Sequence, residues 1–170
     1  MTDLIGQTRY FKGSPDAPVT ILEFSNFQWP YCRQYATDVG RQVEKQYIQT
    51  GKVRFGYLHF MILGPESVLA DQASECAADQ GQFWEYHDSL FENHAGKNKG
   101  GFSRDILKRL ATEIGLYTIA FDACLDSDPY LSIIQEQTGY ASSLGFQSTP
   151  AFLINGKPLV GMQTSEDMQK

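Results

Sequence analysis

Three cysteines, Cys32, Cys76 and Cys124, are the residues of this 170-residue chain best suited to covalent chemistry. Three thiols cannot all pair within one chain, so at least one is free or bonded to another molecule. Cys32 follows Pro30 by two residues, where the sequence reads as the start of a helix. A thiol in a first helical turn sits among unpaired N–H groups at the positive end of the helix dipole, which stabilises the thiolate, its reactive form. The cysteines are too widely spaced for a zinc-type Cys-x-x-Cys pair. His59, His87 and His94 supply no ligand cluster, so neither a metal nor another cofactor is expected. His59 and His87 are expected to cap an element or lie at the surface, without a catalytic role.

The elements that must hold these residues follow from periodicity and punctuation. Residues 1–18 read as a polar stretch ending in the two-proline loop Gly13-Ser14-Pro15-Asp16-Ala17-Pro18. Val19-Thr20-Ile21-Leu22-Glu23-Phe24 is a β-branched and apolar run, the pattern of a buried strand. Pro30 suits a first helical turn, where its missing N–H costs nothing. The helix is expected from Tyr31 to about Gln49, with Tyr35, Val39, Val43 and Tyr47 on one face and Gly51 ending it. Residues 52–60 alternate like a second strand, completing a strand–helix–strand unit that fits a parallel crossover.

A helical block of roughly 80 residues comes next, by its length and period. Gln80-Gly81-Gln82 divides its first part, and Ser103 and Gly115 bracket a further helix. Residues 117–125 and 127–144 read as two more, with Pro129 in the first turn of the second. Phe83, Trp84, Tyr86 and Phe91 have core spacing. The chain closes with a strand over 148–154, an Asn155-Gly156 hairpin turn, and an edge strand over 157–160 carrying Pro158.

Bulk composition narrows the partners. With 42% hydrophobic residues the chain should fold. A formal charge of -6 with no block of Lys or Arg argues against nucleic acid, which needs a concentrated basic face. No apolar run approaches the ~18 residues of a bilayer span. Met1-Thr2-Asp3-Leu4 lacks the basic and apolar regions of a secretory leader, which leaves a cytoplasmic chain or one whose leader was removed.

Three stretches, in order, resemble the DsbA-like branch of the thioredoxin superfamily: Phe24-Ser25-Asn26-Phe27-Gln28-Trp29-Pro30-Tyr31-Cys32; residues 75–88, from Glu75-Cys76 to His87-Asp88; and Ser148-Thr149-Pro150-Ala151-Phe152-Leu153-Ile154-Asn155-Gly156. The resemblance covers nearly the whole chain. It implies an α/β thioredoxin-like fold interrupted by an inserted helical domain. The expected units are residues 1–62 and 146–170 for the thioredoxin part and 63–145 for the insertion, with the family's last helix truncated or missing at the C-terminal end.

The family pattern would put Cys-Pro-Tyr-Cys at 29–32, so Trp29 stands where the attacking cysteine belongs. Cys32 is then either an inert thiol or a site of one-thiol chemistry such as glutathione capping. Trp29 is an apolar plug on the helix end, part of a peptide-binding surface, or a change that disables the site. The resemblance makes Thr149-Pro150 the cis-proline loop that pairs with an extended substrate, Pro30 and Tyr31 the variable pair of the redox motif, and Glu23 a buried acid relaying a proton to the buried thiol. It makes Cys76 and Cys124 candidates for a structural disulfide, although two reduced, buried thiols fit equally. Implied partners are unfolded or cysteine-containing proteins, met outside the cytoplasm in a periplasmic or secreted setting. The leading reading is a DsbA-family thiol–disulfide oxidoreductase homologue whose broken redox pair leaves little or no dithiol exchange, and a redox-silent peptide-binding, chaperone-like module is the main rival. A glutathione-dependent kappa-transferase or isomerase is a lesser one, since those enzymes need Ser or Cys near position 29.

Overall fold

The structure, a computed structural model, describes residues 2–163. The sheet has five strands: β1 (Phe11–Lys12), β2 (Val19–Ser25), β3 (Val53–His59), β4 (Ala151–Ile154) and β5 (Lys157–Val160), in the spatial order β1-β3-β2-β4-β5. β2 and β3 run parallel, from Val19 opposite Val53 to Ser25 opposite His59, and the other pairings are antiparallel. Glu23 therefore lies between Tyr57 on one side and Phe152 on the other. Asn155 and Gly156 both take positive φ, 47° and 86°, as a tight hairpin turn of this hand requires. Pro158 sits on the edge strand, where a missing N–H disturbs no inner ladder.

The helices are α1 (Thr2–Gln7), α2 (residues 30–48), α3 (Pro65–Ala78), α4 (Phe83–Glu92), α5 (Arg104–Glu113), α6 (Thr118–Ser127) and α7 (Leu131–Ser143). The rod α2 consists of two α-helical pieces, Pro30–Gln34 and Gly40–Val43, each followed by a π turn, Tyr35–Val39 and Glu44–Ile48. Its inward residues are Tyr35, Val39, Val43 and Ile48, while Tyr47 is only partly buried. The expected fourth contact thus moves from 47 to 48, because a π turn takes one more residue than an α turn.

Two other expectations change. The polar stretch 1–18 contains α1, whose Leu4 is fully buried beneath β2 and β3, and the two-residue strand β1; both are too short to show a period. Pro129 lies in the connection before α7 rather than in its first turn, because Asp128 closes α6 in the left-handed region at φ 49°. The expectation of a missing last helix falls on residues 164–170, outside the described residues.

One core cluster, with Ile21, Phe55 and Phe152, fills the sheet face under α2. A second, with Leu22, Phe24, Leu58 and Leu153, fills the opposite face against α1 and α7. The third occupies the helical block and reaches the sheet through Phe27 and Tyr57. The two cysteines whose pairing the sequence left open are bonded: Cys76 of α3 joins Cys124 of α6 with their Cα atoms 5.9 Å apart. Closing a loop across a separation of 48 residues removes unfolded-chain entropy equivalent to about 4 kcal/mol. Among the described residues no helix is long and apolar enough to cross a membrane.

Candidate active site

The site is assembled where β2 ends. Ser25, Asn26, Phe27 and Gln28 are buried in the turn between β2 and α2, and Asn26 shapes it by accepting from the backbone N–H of Gln28 on Oδ1, at 2.9 Å, and from that of Trp29 on its carbonyl, at 3.1 Å. Trp29 is the N-cap of α2, with extended backbone (φ -88°, ψ 124°), and Pro30 occupies the first helical position. Trp29 and Tyr31 meet edge to face, ring centroids 6.0 Å apart. Tyr31 is 54% exposed and Trp29 is half-buried against the helical core.

Cys32 is fully buried, its Sγ 3.2 Å from Thr149 Oγ1. The Thr149 hydroxyl donates its single proton to the Phe24 carbonyl at 2.7 Å. Thr149 can then only accept from sulfur, so the cysteine donates and is held as a thiol. Burial, reinforced by the charge of Glu23, pushes the Cys32 pKa up to about 12. Cys32 is thus placed as a buried thiol, although it stands in the first turn of α2. The dipole acts at the helix tip, and desolvation outweighs it one turn inward. The Thr149–Pro150 peptide bond is cis. Trp29, Tyr31, Ser148, Thr149 and Met162 line a shallow groove across the helix tip.

Glu23 lies on the same strand, 1% exposed, with Oε1 making no hydrogen bond. It borders a cavity of about 40 Å³, shared with Tyr35, Trp84 and His87, that leads toward the surface ion pair of Lys12 with Glu44. Burial pushes its pKa up to about 8, with Ser25 opposing. A carboxyl whose folded pKa is raised favours the fold while it is protonated, below its ordinary 4.5, and loses that advantage as pH climbs through about 8. Glu23→Leu should therefore raise stability at pH 7 by about 3 kcal/mol, with a gain that shrinks towards pH 5. Urea melts at several pH values check this. A gain independent of pH would mean that Glu23 is ionised throughout.

The structure brings Glu23, Cys32, Thr149 and Pro150 together, with Trp29, Pro30 and Tyr31 at the mouth. Cys76 and Cys124 lie apart, within the helical block. His59 and His87, expected to cap an element or lie at the surface, are instead buried, 1% and 6% exposed. His87 packs among Trp84 and Phe91 and pairs with Asp88 at 2.8 Å, while burial lowers its pKa. His59 pairs with the buried Asp71 and Glu75. Asp71 and Glu75 stand four residues apart on α3, both buried, and it is the fold that carries them to His59.

A strand-capped helix tip facing a proline loop, with helices between β3 and β4, defines a thioredoxin fold of the DsbA-like kind. The sequence profile of the family described as Thioredoxin matches residues 6–170, and the chain belongs to that family. It is 28% identical, over 93% of its length and 72% of the relative's, to disulfide bond formation protein D of Bacillus subtilis. The crystal structure of oxidised BdbD from B. subtilis superposes with a TM-score of 0.89 at 25% identity, covering 97% of this chain and 90% of that one. Alpha-DsbA1 of Wolbachia pipientis shares the fold at a TM-score of 0.82 and 21% identity, over 94% and 86% of the two chains. The chain is thus a homologue of the DsbA-like thiol–disulfide oxidoreductases.

Proposed function

We propose that this chain keeps the polypeptide-binding groove of a DsbA-like oxidoreductase and has given up dithiol exchange. The observation that carries the proposal is the isolation of Cys32: it is buried as a thiol, and Cys76 and Cys124 are bonded to each other. Exchange needs an accessible thiolate to attack and a second thiol to resolve the mixed disulfide. Neither the chemistry nor the access is present at 32. The same burial counts against one-thiol capping by glutathione.

What remains is a binding surface. Trp29 and Tyr31 offer rigid aromatic anchors, Met162 adapts to irregular apolar side chains, and Ser148 and Thr149 supply a polar edge. An extended, unfolded polypeptide suits a groove of this kind. The Cys76–Cys124 bond favours an oxidising compartment outside the cytoplasm. The division into a thioredoxin part (1–62 and 146–170) and an insertion (63–145) belongs to the same proposal.

The test is fluorescence anisotropy of a labelled, permanently unfolded polypeptide. Trp29→Ala should weaken binding about tenfold, the effect of removing a central aromatic anchor. Cys32→Ala should bind as the unmodified chain does. Absence of binding, or equal binding by Trp29→Ala, would sink the proposal.

A further inference from the structure

We propose that His94 and Asn98, on the loop leaving α4, are positioning residues for residue 29, so that the helical insertion sets how that side chain is presented to the groove. The proposal deepens the groove reading above. The residue through which they act is Gln28, which is fully buried and has every polar group engaged. Its backbone N–H donates to Asn26 Oδ1 at 2.9 Å. Its side-chain amide donates to Ser67 Oγ of α3 at 2.8 Å and to Asn98 Oδ1 at 3.3 Å. Its side-chain carbonyl accepts from the Asn98 backbone N–H at 2.5 Å. Its main-chain carbonyl lies 2.7 Å from His94 Nε2, and because a carbonyl only accepts, the imidazole carries its proton on that nitrogen.

That last bond acts on residue 29 directly. The carbonyl of Gln28 and the N–H of Trp29 belong to one planar peptide unit. Fixing the carbonyl with His94 at one end and the N–H on Asn26 O, at 3.1 Å, at the other fixes the plane and hence the direction in which residue 29 leaves the backbone. The loop bearing His94 and Asn98 is itself braced. Asn98 takes φ 48° and donates from Nδ2 to the Leu63 carbonyl at 2.8 Å. A Cβ on Gly64 would stand 2.9 Å from that same Nδ2, so glycine at 64 leaves the room Asn98 needs. Beyond Asn98, the Glu66 carboxylate accepts the backbone N–H groups of Gly100 and Phe102 at 2.8 and 3.0 Å. The braced loop, built from the insertion, thus holds the peptide unit that leads into residue 29.

Fluorotryptophan labelling gives one fluorine NMR line for each of Trp29 and Trp84, and the line lost in Trp29→Phe identifies position 29. His94→Ala and Asn98→Gly should shift or broaden the Trp29 line, leave the Trp84 line in place, and weaken binding of the labelled unfolded polypeptide about fivefold, the worth of one net hydrogen bond. His94→Gln, whose amide can donate from nearly the same point as imidazole Nε2, should restore both readouts. A Trp29 line that does not move in either variant overturns the inference, and so does joint movement of both lines, which would report general loosening. If the unmodified chain binds no polypeptide, the groove reading fails, while the fluorine line still decides whether the clamp holds residue 29.

Discussion

Trp29→Cys should turn this chain into a working dithiol oxidoreductase, with insulin reduction rising from background to several hundredfold above it. A cysteine at 29 would occupy the N-cap of α2, where Trp29 already has extended backbone that any residue adopts. It would face the N–H groups at the helix start and meet solvent at the groove mouth, conditions that bring such thiols to a pKa of about 7. Cys32, pushed up to about 12 by burial, offers on the order of one thiolate in 10⁵ molecules at pH 7. The intrinsic nucleophilicity of a thiolate falls with its pKa, with a slope of about 0.4–0.5, which returns roughly two of those five powers of ten. The remainder is a gain of several hundredfold from ionisation alone, and access adds to it.

The asymmetry between the two thiols also fixes their roles. The thiolate at 29 would attack, and Cys32, with Glu23 nearby to exchange a proton, would resolve. Trp29→Cys combined with Cys32→Ala should trap mixed disulfides with substrate, since attack without resolution stops there. A folded Trp29→Cys protein that forms the 29–32 disulfide yet reduces no insulin would show that the groove no longer receives protein substrates.

The sequence disclosed what local chemistry and period can encode. The run 19–24, the Asn155-Gly156 turn and the break at Gly81 all stand where the structure has them, because a fully buried strand, a positive-φ pair and a helix stop each leave a compositional mark. The positions of Cys32 and Thr149 were legible through motif resemblance, and they meet at 3.2 Å. The protonation state of Cys32 was not, because desolvation depends on what the fold lays over the sulfur. The clamp on Gln28 was hidden for a similar reason: Gln28, Ser67 and Asn98 are far apart in the chain and individually unremarkable polar residues. His59 was misplaced because a lone histidine at a strand end gives no sign of the two carboxylates that a helix brings to it.

That histidine carries the second large effect: His59→Leu should lower stability at pH 7 by about 3–5 kcal/mol, the penalty for stripping the partner from buried charge. His59 ends β3, with Nε2 2.9 Å from Glu75 Oε1 and Nδ1 3.1 Å from Asp71 Oδ1, and all three side chains are at most 1% exposed. The Asp71 contact is ionic rather than an aligned hydrogen bond, since neither Asp71 carboxyl oxygen has a hydrogen-bond partner. Glu75 Oε2 also takes Arg9 and the Tyr10 hydroxyl, and the Arg9 guanidinium lies over the Tyr10 and Tyr130 rings. The His59 backbone N–H donates to Gln137 Oε1 of α7 at 2.8 Å. One residue thus joins the sheet to the first and last helices of the block.

The pH dependence separates this role from simple packing. Although burial opposes it, the pairing with Asp71 and Glu75 raises the His59 pKa from 6.5 to about 9. Its contribution is complete below about pH 6.5 and fades as pH rises through about 9. The Glu75 pKa is lowered by His59, Tyr10 and Arg9 against its burial, so its contribution holds above its ordinary 4.5 and is lost in acid. Asp71 is raised by burial and so favours the fold in its protonated form, the opposite sense to Glu75. In His59→Leu, Asp71 loses its cation and Glu75 keeps only Arg9, so both carboxyls take up protons more readily. The deficit against the unmodified protein should therefore shrink as pH is lowered from 7 to 5, where protonation removes the uncompensated charge. Paired urea melts across that interval measure it. A deficit under about 1 kcal/mol at pH 7, or one that stays constant with pH, would mean the three groups are neutral in the folded chain and that the junction between sheet and insertion rests on shape alone.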